Sequence, residues 1–182
     1  MTESFSESTA KRPAVFFDRD GVVNRSPGDA YYVLSWDQFE FSPGIFEVLK
    51  TVKDRGYLAI LVTSQKAAGK GLMTQAELDH IHQRMQERLR LETGYEFDAI
   101  YAFTGTPDCR HRPKPDPEMI LTAAQEHDID LSRSWMIGDA DRDIEMGIAA
   151  GLKGTIRVRG EKTIGCDATE TVGSVSDVVR FL

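Results

Sequence analysis

Short apolar runs, each too brief for a helix, recur along the chain between longer stretches with helical spacing. Ala14–Phe17, Tyr57–Val62, Ala99–Phe103, Ser134–Ile137 and Thr155–Val158 form these runs. Segments that are apolar on both faces suit the interior of a parallel sheet. The intervening stretches carry helix signals. Ser42-Pro43 reads as an N-cap followed by proline at the first helical position, and Ile45, Val48, Leu49 and Val52 keep one face apolar. Thr74 with Glu77 reads as a capping box, opening a helix whose inward stripe is Leu78, Ile81, Met85 and Leu89. Asp116-Pro117 starts a third helix through Met119, Ile120 and Ala123. Asp141 to Ala150 forms a fourth, with Gly151 at its C-terminal cap, and Ser174 to Phe181 a short last one. Strands alternating with helices predict an α/β chain, a Rossmann-like parallel sheet of five strands flanked by helices and joined by right-handed crossovers.

At 182 residues the chain has room for one domain, expected over 13–182, behind a polar arm over 1–12 that buries too little to order itself. The balance of 22 basic against 29 acidic residues, net −7, argues against a nucleic-acid partner, which wants a basic face. The longest apolar run, Leu58–Val62, falls well short of the about 20 residues of a membrane span. The first ten residues lack the basic start and apolar stretch of a signal peptide. Cys109 and Cys166 make no disulfide framework. A cytoplasmic monomer, bound to neither membrane nor nucleic acid, is expected.

In such sheets ligands bind beyond the carboxyl ends of the strands, so the residues after each strand carry the information. Asp18-Arg19-Asp20-Gly21 follows the first run and Thr63-Ser64-Gln65 the second. A turn-rich stretch leads from the third to Lys114-Pro115, and Gly138-Asp139 with Asp141 and Asp143 follows the fourth. Asp18 and Asp20, two apart on extended backbone, project the same way. Adjacent carboxylates repel unless a cation joins them, and a third from Asp139 completes a hard oxygen set suited to Mg²⁺. Beside such a cation a phosphate dianion can approach the aspartates, and one carboxylate can act as nucleophile. Thr63, its neighbouring backbone N–H groups and Lys114 would hold the phosphoryl oxygens. Arg19, Lys66, Lys70, Arg112, Lys114 and Arg142 all lie in segments near these acids, so a net acidic chain still offers local cations to a small anion.

Phe16-Phe17-Asp18-Arg19-Asp20-Gly21-Val22-Val23-Asn24 resembles the first motif of haloacid dehalogenase (HAD) superfamily phosphatases. Thr63-Ser64-Gln65, Lys114-Pro115-Asp116-Pro117-Glu118-Met119 and Gly138-Asp139-Ala140-Asp141-Arg142-Asp143 resemble the remaining three. The Asp-Arg-Asp-Gly form, Asn24 and Phe39-Glu40-Phe41-Ser42-Pro43-Gly44 are most similar to the branch of heptose 1,7-bisphosphate 7-phosphatases and histidinol-phosphatases. The resemblance implies a HAD-like fold and hydrolysis of a small phosphorylated metabolite, a sugar phosphate or bisphosphate. Asp18 would be the nucleophile, passing through an aspartyl-phosphate, and Asp20 the acid that protonates the leaving oxygen and then activates water. Mg²⁺ would be held by Asp18, the backbone carbonyl of Asp20, and Asp139, with Asp143 as a supporting acid. Thr63, Ser64 and Lys114 would bind the transferring phosphoryl group. Neither the stretch from the first motif to Ser42 nor that from Gln65 to Arg112 has room for a cap domain. A capless site is therefore expected, with specificity carried by the loops 25–36, 66–72 and 105–112.

The chain departs from this branch in four places. Of the zinc loop, Cys-x-His followed by Cys-x-Cys, only Cys109 and His111 remain, and a structural zinc site needs four ligands; zinc is expected to be absent. Ser64 stands where asparagine is usual. Lys66-Ala67-Ala68-Gly69-Lys70-Gly71 matches the glycine-rich loop only loosely. Pro113 separates Arg112 from Lys114, which bears on Arg112 as a supporting contact to a substrate phosphate. Histidinol phosphate and a DNA 3′-phosphate are alternative substrates, the latter disfavoured by the lack of a basic block. A phospho-receiver module is an alternative of another class, though receivers place the accepting aspartate after a middle strand. His80 and His82, two apart on a helix, cannot share a face as metal ligands. Trp36 would either stack on a sugar or pack a loop.

Overall fold

The computed structural model describes residues 10–28 and 32–182. Six parallel strands form one sheet: β1 (Ala14–Phe17), β2 (Leu58–Ser64), β3 (Ala99–Phe103), β4 (Trp135–Gly138), β5 (Gly154–Val158) and β6 (Glu170–Val172). Their order is β3-β2-β1-β4-β5-β6. The chain builds outward from β1 on one side and then returns to its other side. The crevice beyond the carboxyl ends of β1 and β4 is therefore the topological switch point, where such sheets bind ligands. Among the described residues, five α-helices accompany the sheet: α1 (Ile45–Asp54), α2 (Lys66–Gly69), α3 (Gln75–Thr93), α4 (Glu118–Glu126) and α5 (Asp141–Ala149).

Alternation along the strands divides the interior in two. Val15 and Phe17 face a core with Val48 and Leu49 of α1 and Ile81 and Met85 of α3. Ala14 and Phe16 face the other, with Met119 and Ile120 of α4 and Met146 of α5. All the apolar positions expected to point inward on α1, α3 and α4 are buried. The capping box of α3 forms in full, Thr74 Oγ1 accepting from the Glu77 N–H and the Glu77 carboxylate from the Thr74 N–H. No separate folding unit interrupts the sheet among the described residues, in keeping with a capless arrangement.

Four local expectations need correction. The helix read from Ser42-Pro43 begins instead at Ile45, after Gly44 in the left-handed region at φ 84°. The Ser42 N–H is committed to the Val23 carbonyl, so Ser42 belongs to a strand-like pairing of 23–25 with 40–42 rather than to a cap. The last helix is a 3-10 segment, Val175–Arg180. Short strand β6 and short helix α2 lie where the sequence reads as loop, because three and four residues are too few for periodicity to register. Of the expected arm, residues 1–9 lie outside the described residues. Arg12 is tied down, its N–H donating to the Asp128 carbonyl and its own carbonyl accepting from the Asp130 N–H.

Candidate active site

Each acid is placed by the end of a buried strand. Asp18 follows β1 and is 4% exposed; Asp139 follows β4 and is 6% exposed. Asp143 lies in the first turn of α5 and is wholly buried. One carboxylate oxygen from each of these three lies within 4.8 Å of the others. Two glycines permit the convergence. A Cβ on Gly21, at φ 96°, would stand 2.1 Å from Asp139 Oδ2, and one on Gly138 would stand 2.2 Å from the Asp143 Cβ. Gly21 thus supplies a turn that L-residues avoid and the clearance that admits Asp139.

Lys114 is the counter-ion of this floor. Its buried Nζ donates to Asp18 Oδ1 at 2.8 Å and to Asp143 Oδ1 at 2.7 Å. Asp143 Oδ2 accepts the Ala140 N–H at 3.1 Å, so both of its oxygens are engaged. Burial, reinforced by Asp143, pushes the Asp18 carboxyl up to about 7 against the pull of Lys114. Burial would lower Lys114, but Asp143 and Asp18 overcome it and raise its affinity for the proton. Burial also raises Asp139, opposed by Lys162, whose Nζ donates to Asp139 Oδ1 at 2.9 Å.

Asp20 turns away from that cluster into a separate cradle. It accepts from Arg19 Nη2 at 3.1 Å, Asn24 Nδ2 at 2.9 Å and Gln65 Nε2 at 2.9 Å. Burial alone would raise its carboxyl, yet Arg19 and the bonds from Asn24 and Gln65 hold it below the ordinary carboxylate range. Arg19 is wholly buried, and its Nη1 donates to His82 Nε2 at 3.2 Å. Burial, then the adjacent guanidinium, drops His82 to about 3, which keeps the ring neutral and able to accept. Gln65 Nε2 also donates to Thr63 Oγ1 at 2.8 Å, which ties the second strand's hydroxyl to Asp20. The Ser64 hydroxyl is buried and has no hydrogen-bond partner among the described residues, an unmet demand that a bound oxyanion would satisfy.

Asp18, Lys114, Asp139 and Asp143 therefore meet directly, and Thr63 joins Asp20 through Gln65. Arg112 does not join them. It is exposed, and its guanidinium donates to Asp116 Oδ2 at 3.3 Å. His111 faces the Glu118 carboxylate, and Cys109 Sγ lies 3.4 Å from the Thr104 backbone nitrogen. Trp36 packs against Phe39 and Phe41, with Arg84 over its ring, and so serves its loop.

Sequence reasoning gave no role to Gln65, His82 or Lys162. Gln65 was legible as the polar residue closing the β2 motif. Lys162 follows β5, so its signal is the same as that of the other site residues: a position after the carboxyl end of a strand. His82 gave no signal, because its place on α3 falls among core positions.

Beside the acids lies a cavity of about 280 Å³ lined by Asp20, Ser64, Lys66, Lys70, Arg142 and Lys162 among others. No helix among the described residues is long and apolar enough to cross a membrane.

Comparison with known proteins agrees with this geometry. Residues 18–151 match the family model of the haloacid dehalogenase-like hydrolases. A D-glycero-beta-D-manno-heptose-1,7-bisphosphate 7-phosphatase of Helicobacter pylori is 40% identical over 150 residues, covering 79% of this chain and 82% of its own. A D-glycero-alpha-D-manno-heptose-1,7-bisphosphate 7-phosphatase of Burkholderia mallei is 34% identical over 183 residues, 94% of each chain. Among solved structures, the D,D-heptose 1,7-bisphosphate phosphatase of B. bronchiseptica, complexed with magnesium and phosphate, superposes with a TM-score of 0.79 at 27% identity, covering 92% of this chain and 96% of that one. By its strand order, the acids that follow β1 and β4, and these matches, the chain belongs to the haloacid dehalogenase-like hydrolase family.

Proposed function

We propose that this chain is a magnesium-dependent phosphomonoesterase that removes the 7-phosphate of a D-glycero-D-manno-heptose 1,7-bisphosphate through an aspartyl-phosphate. The observation that carries the reading is the buried Asp18 carboxylate, held by Lys114 and facing Asp139 at the switch point. The names of the relatives at 40% and 34% identity supply the substrate class.

The donor set fits the cation: its ligands are oxygens only, and the carboxylates of Asp18, Asp139 and Asp143 are close together and buried. Asp18, the Asp20 carbonyl and Asp139 would hold Mg²⁺, which when bound screens the acids from the incoming dianion. Asp143, with both oxygens engaged, supports the site by holding Lys114 and the Ala140 N–H. The residues then divide the chemistry. An Asp18 oxygen bonds to phosphorus as the ester P–O bond breaks, and the electron pair leaves on the sugar oxygen, which takes a proton from Asp20. At rest Arg19, Asn24 and Gln65 keep Asp20 ionised, and the phosphate dianion beside it raises its proton affinity so that it loads with substrate. Water next attacks phosphorus, Asp20 takes its proton, and the Asp18 carboxylate leaves. Lys114, Thr63 and the unpartnered Ser64 hydroxyl meet the phosphoryl oxygens.

A substrate panel tests the reading. Phosphate release from heptose 1,7-bisphosphate should exceed that from histidinol phosphate and from a DNA 3′-phosphate in kcat/KM, and chelation of divalent cations should abolish it. Preference for either alternative, or full turnover after chelation, would contradict the proposal.

A further inference from the structure

If the substrate carries two phosphates, the one that is not cleaved needs its own anchor. Arg112, the residue the family resemblance suggests for a substrate phosphate, is turned onto Asp116. We infer that the distal phosphate is bound instead by Lys66, Lys70 and Arg142, on the rim of the cavity that reaches Asp20 and Ser64. This inference rests on the bisphosphate reading above and assigns the half of the substrate that the reaction leaves untouched.

Charge is the first argument. Four cations line that cavity, and its one carboxylate, Asp20, is already saturated by Arg19, Asn24 and Gln65. Lys162 serves Asp139. No ion pair among the described residues neutralises Lys66, Lys70 or Arg142, and the hydrogen bond of Lys70 Nζ goes to the neutral Tyr32 hydroxyl at 2.7 Å. Arg142 also acts on Asp139 at longer range but forms no ion pair with it, and three such cations facing one concave space favour an anion there.

Rigidity is the second. Lys66 and Lys70 bracket α2, which is pinned to the neighbouring loop. The Gln65 N–H donates to the Phe103 carbonyl at 2.7 Å and the Gly69 N–H to the Thr104 carbonyl at 3.0 Å. Ala67 is buried beneath, and a Cβ on Gly69 would stand 2.5 Å from the Thr104 carbonyl oxygen. The Tyr32 ring lies against the ammonium, 5.1 Å from its centroid to Nζ. Both lysine stems thus spring from an anchored turn, and little ordering remains to be done when the anion binds.

The test compares two substrates with the same scissile ester, D-glycero-D-manno-heptose 1,7-bisphosphate and D-glycero-D-manno-heptose 7-phosphate. The parent should prefer the bisphosphate in kcat/KM. In Lys66→Ala/Lys70→Ala that preference should fall by about tenfold or more, with Arg142→Ala intermediate. Because the contact is ionic, added salt should erode the parent's preference and leave the double variant's almost unchanged. Lys50→Ala/Lys153→Ala removes the same charge far from the cavity and should keep the parental preference. A double variant with undiminished preference, or loss of preference in Arg112→Ala alone, would overturn the assignment. A parent that hydrolyses neither heptose phosphate would instead overturn the bisphosphate reading, and a parent that hydrolyses both equally would overturn the distal subsite only.

Discussion

The floor of the site and its rim are built on opposite principles. On the floor, Asp18, Asp143 and Lys114 are buried, mutually bonded and fixed by strand ends and by glycines that admit no side chain. On the rim, Lys66, Lys70 and Arg142 are exposed and unpaired by acids among the described residues. Buried charges without partners are costly, so the floor is over-determined and its chemistry is set before substrate arrives. Exposed cations cost little to keep, so the rim can differ from one relative to the next without endangering the fold. The contrast separates how the ester is cleaved from which molecule is chosen.

The sharpest way to break the floor is Asp18→Asn, which should lower kcat by about 10³-fold or more. Thermal unfolding of the metal-free variant should not fall and should rise modestly, because a desolvated carboxylate has been removed while Lys114 keeps Asp143. Lys114→Ala should do the reverse in stability, costing about 3–5 kcal/mol in chemical denaturation by stranding two buried carboxylates, with a comparable collapse in turnover. Gly138→Ala, which forces a Cβ into Asp143, should cost about 1–3 kcal/mol and reduce turnover through displacement of Lys114.

At neutral pH the smallest effect concerns His82, whose titration is felt only in acid. Its folded-state pKa is depressed to about 3 from 6.5, so the folded chain binds fewer protons than the unfolded one between these values. Its stabilising share is therefore complete above about pH 6.5 and is lost as pH falls toward 3. His82→Gln retains an acceptor for Arg19 and should flatten the decline in stability over that window relative to the parent, as read by urea midpoints at each pH.

The floor was legible in the sequence, and so were the rim cations as residues near it; the cradle around Asp20 and the direction of Arg112 were not, for physical reasons. Asp18, Asp139 and Thr63 stand at the ends of apolar runs that periodicity identifies, and Lys114 precedes a helix with a clear apolar stripe. Their meeting follows from parallel topology alone. The cradle around Asp20 depends on Arg19 folding inward to a histidine on α3, a long-range pairing that no local pattern encodes. Arg112 differs for the opposite reason: Asp116, four residues on, competes for its guanidinium locally. Strand β6 escaped because three residues on a sheet edge carry no periodic signal.

The central claim is that Asp18 becomes phosphorylated. Acid-quenching the Mg²⁺-loaded protein during turnover of heptose 1,7-bisphosphate, followed by peptide mass spectrometry, tests it most directly. The account predicts a phosphoryl group on the peptide containing Asp18, discharged by water on a longer incubation and missing from Asp18→Asn. An Asp18→Asn protein that still releases phosphate at the parental rate, or a phosphoryl group found on a different residue, would contradict it.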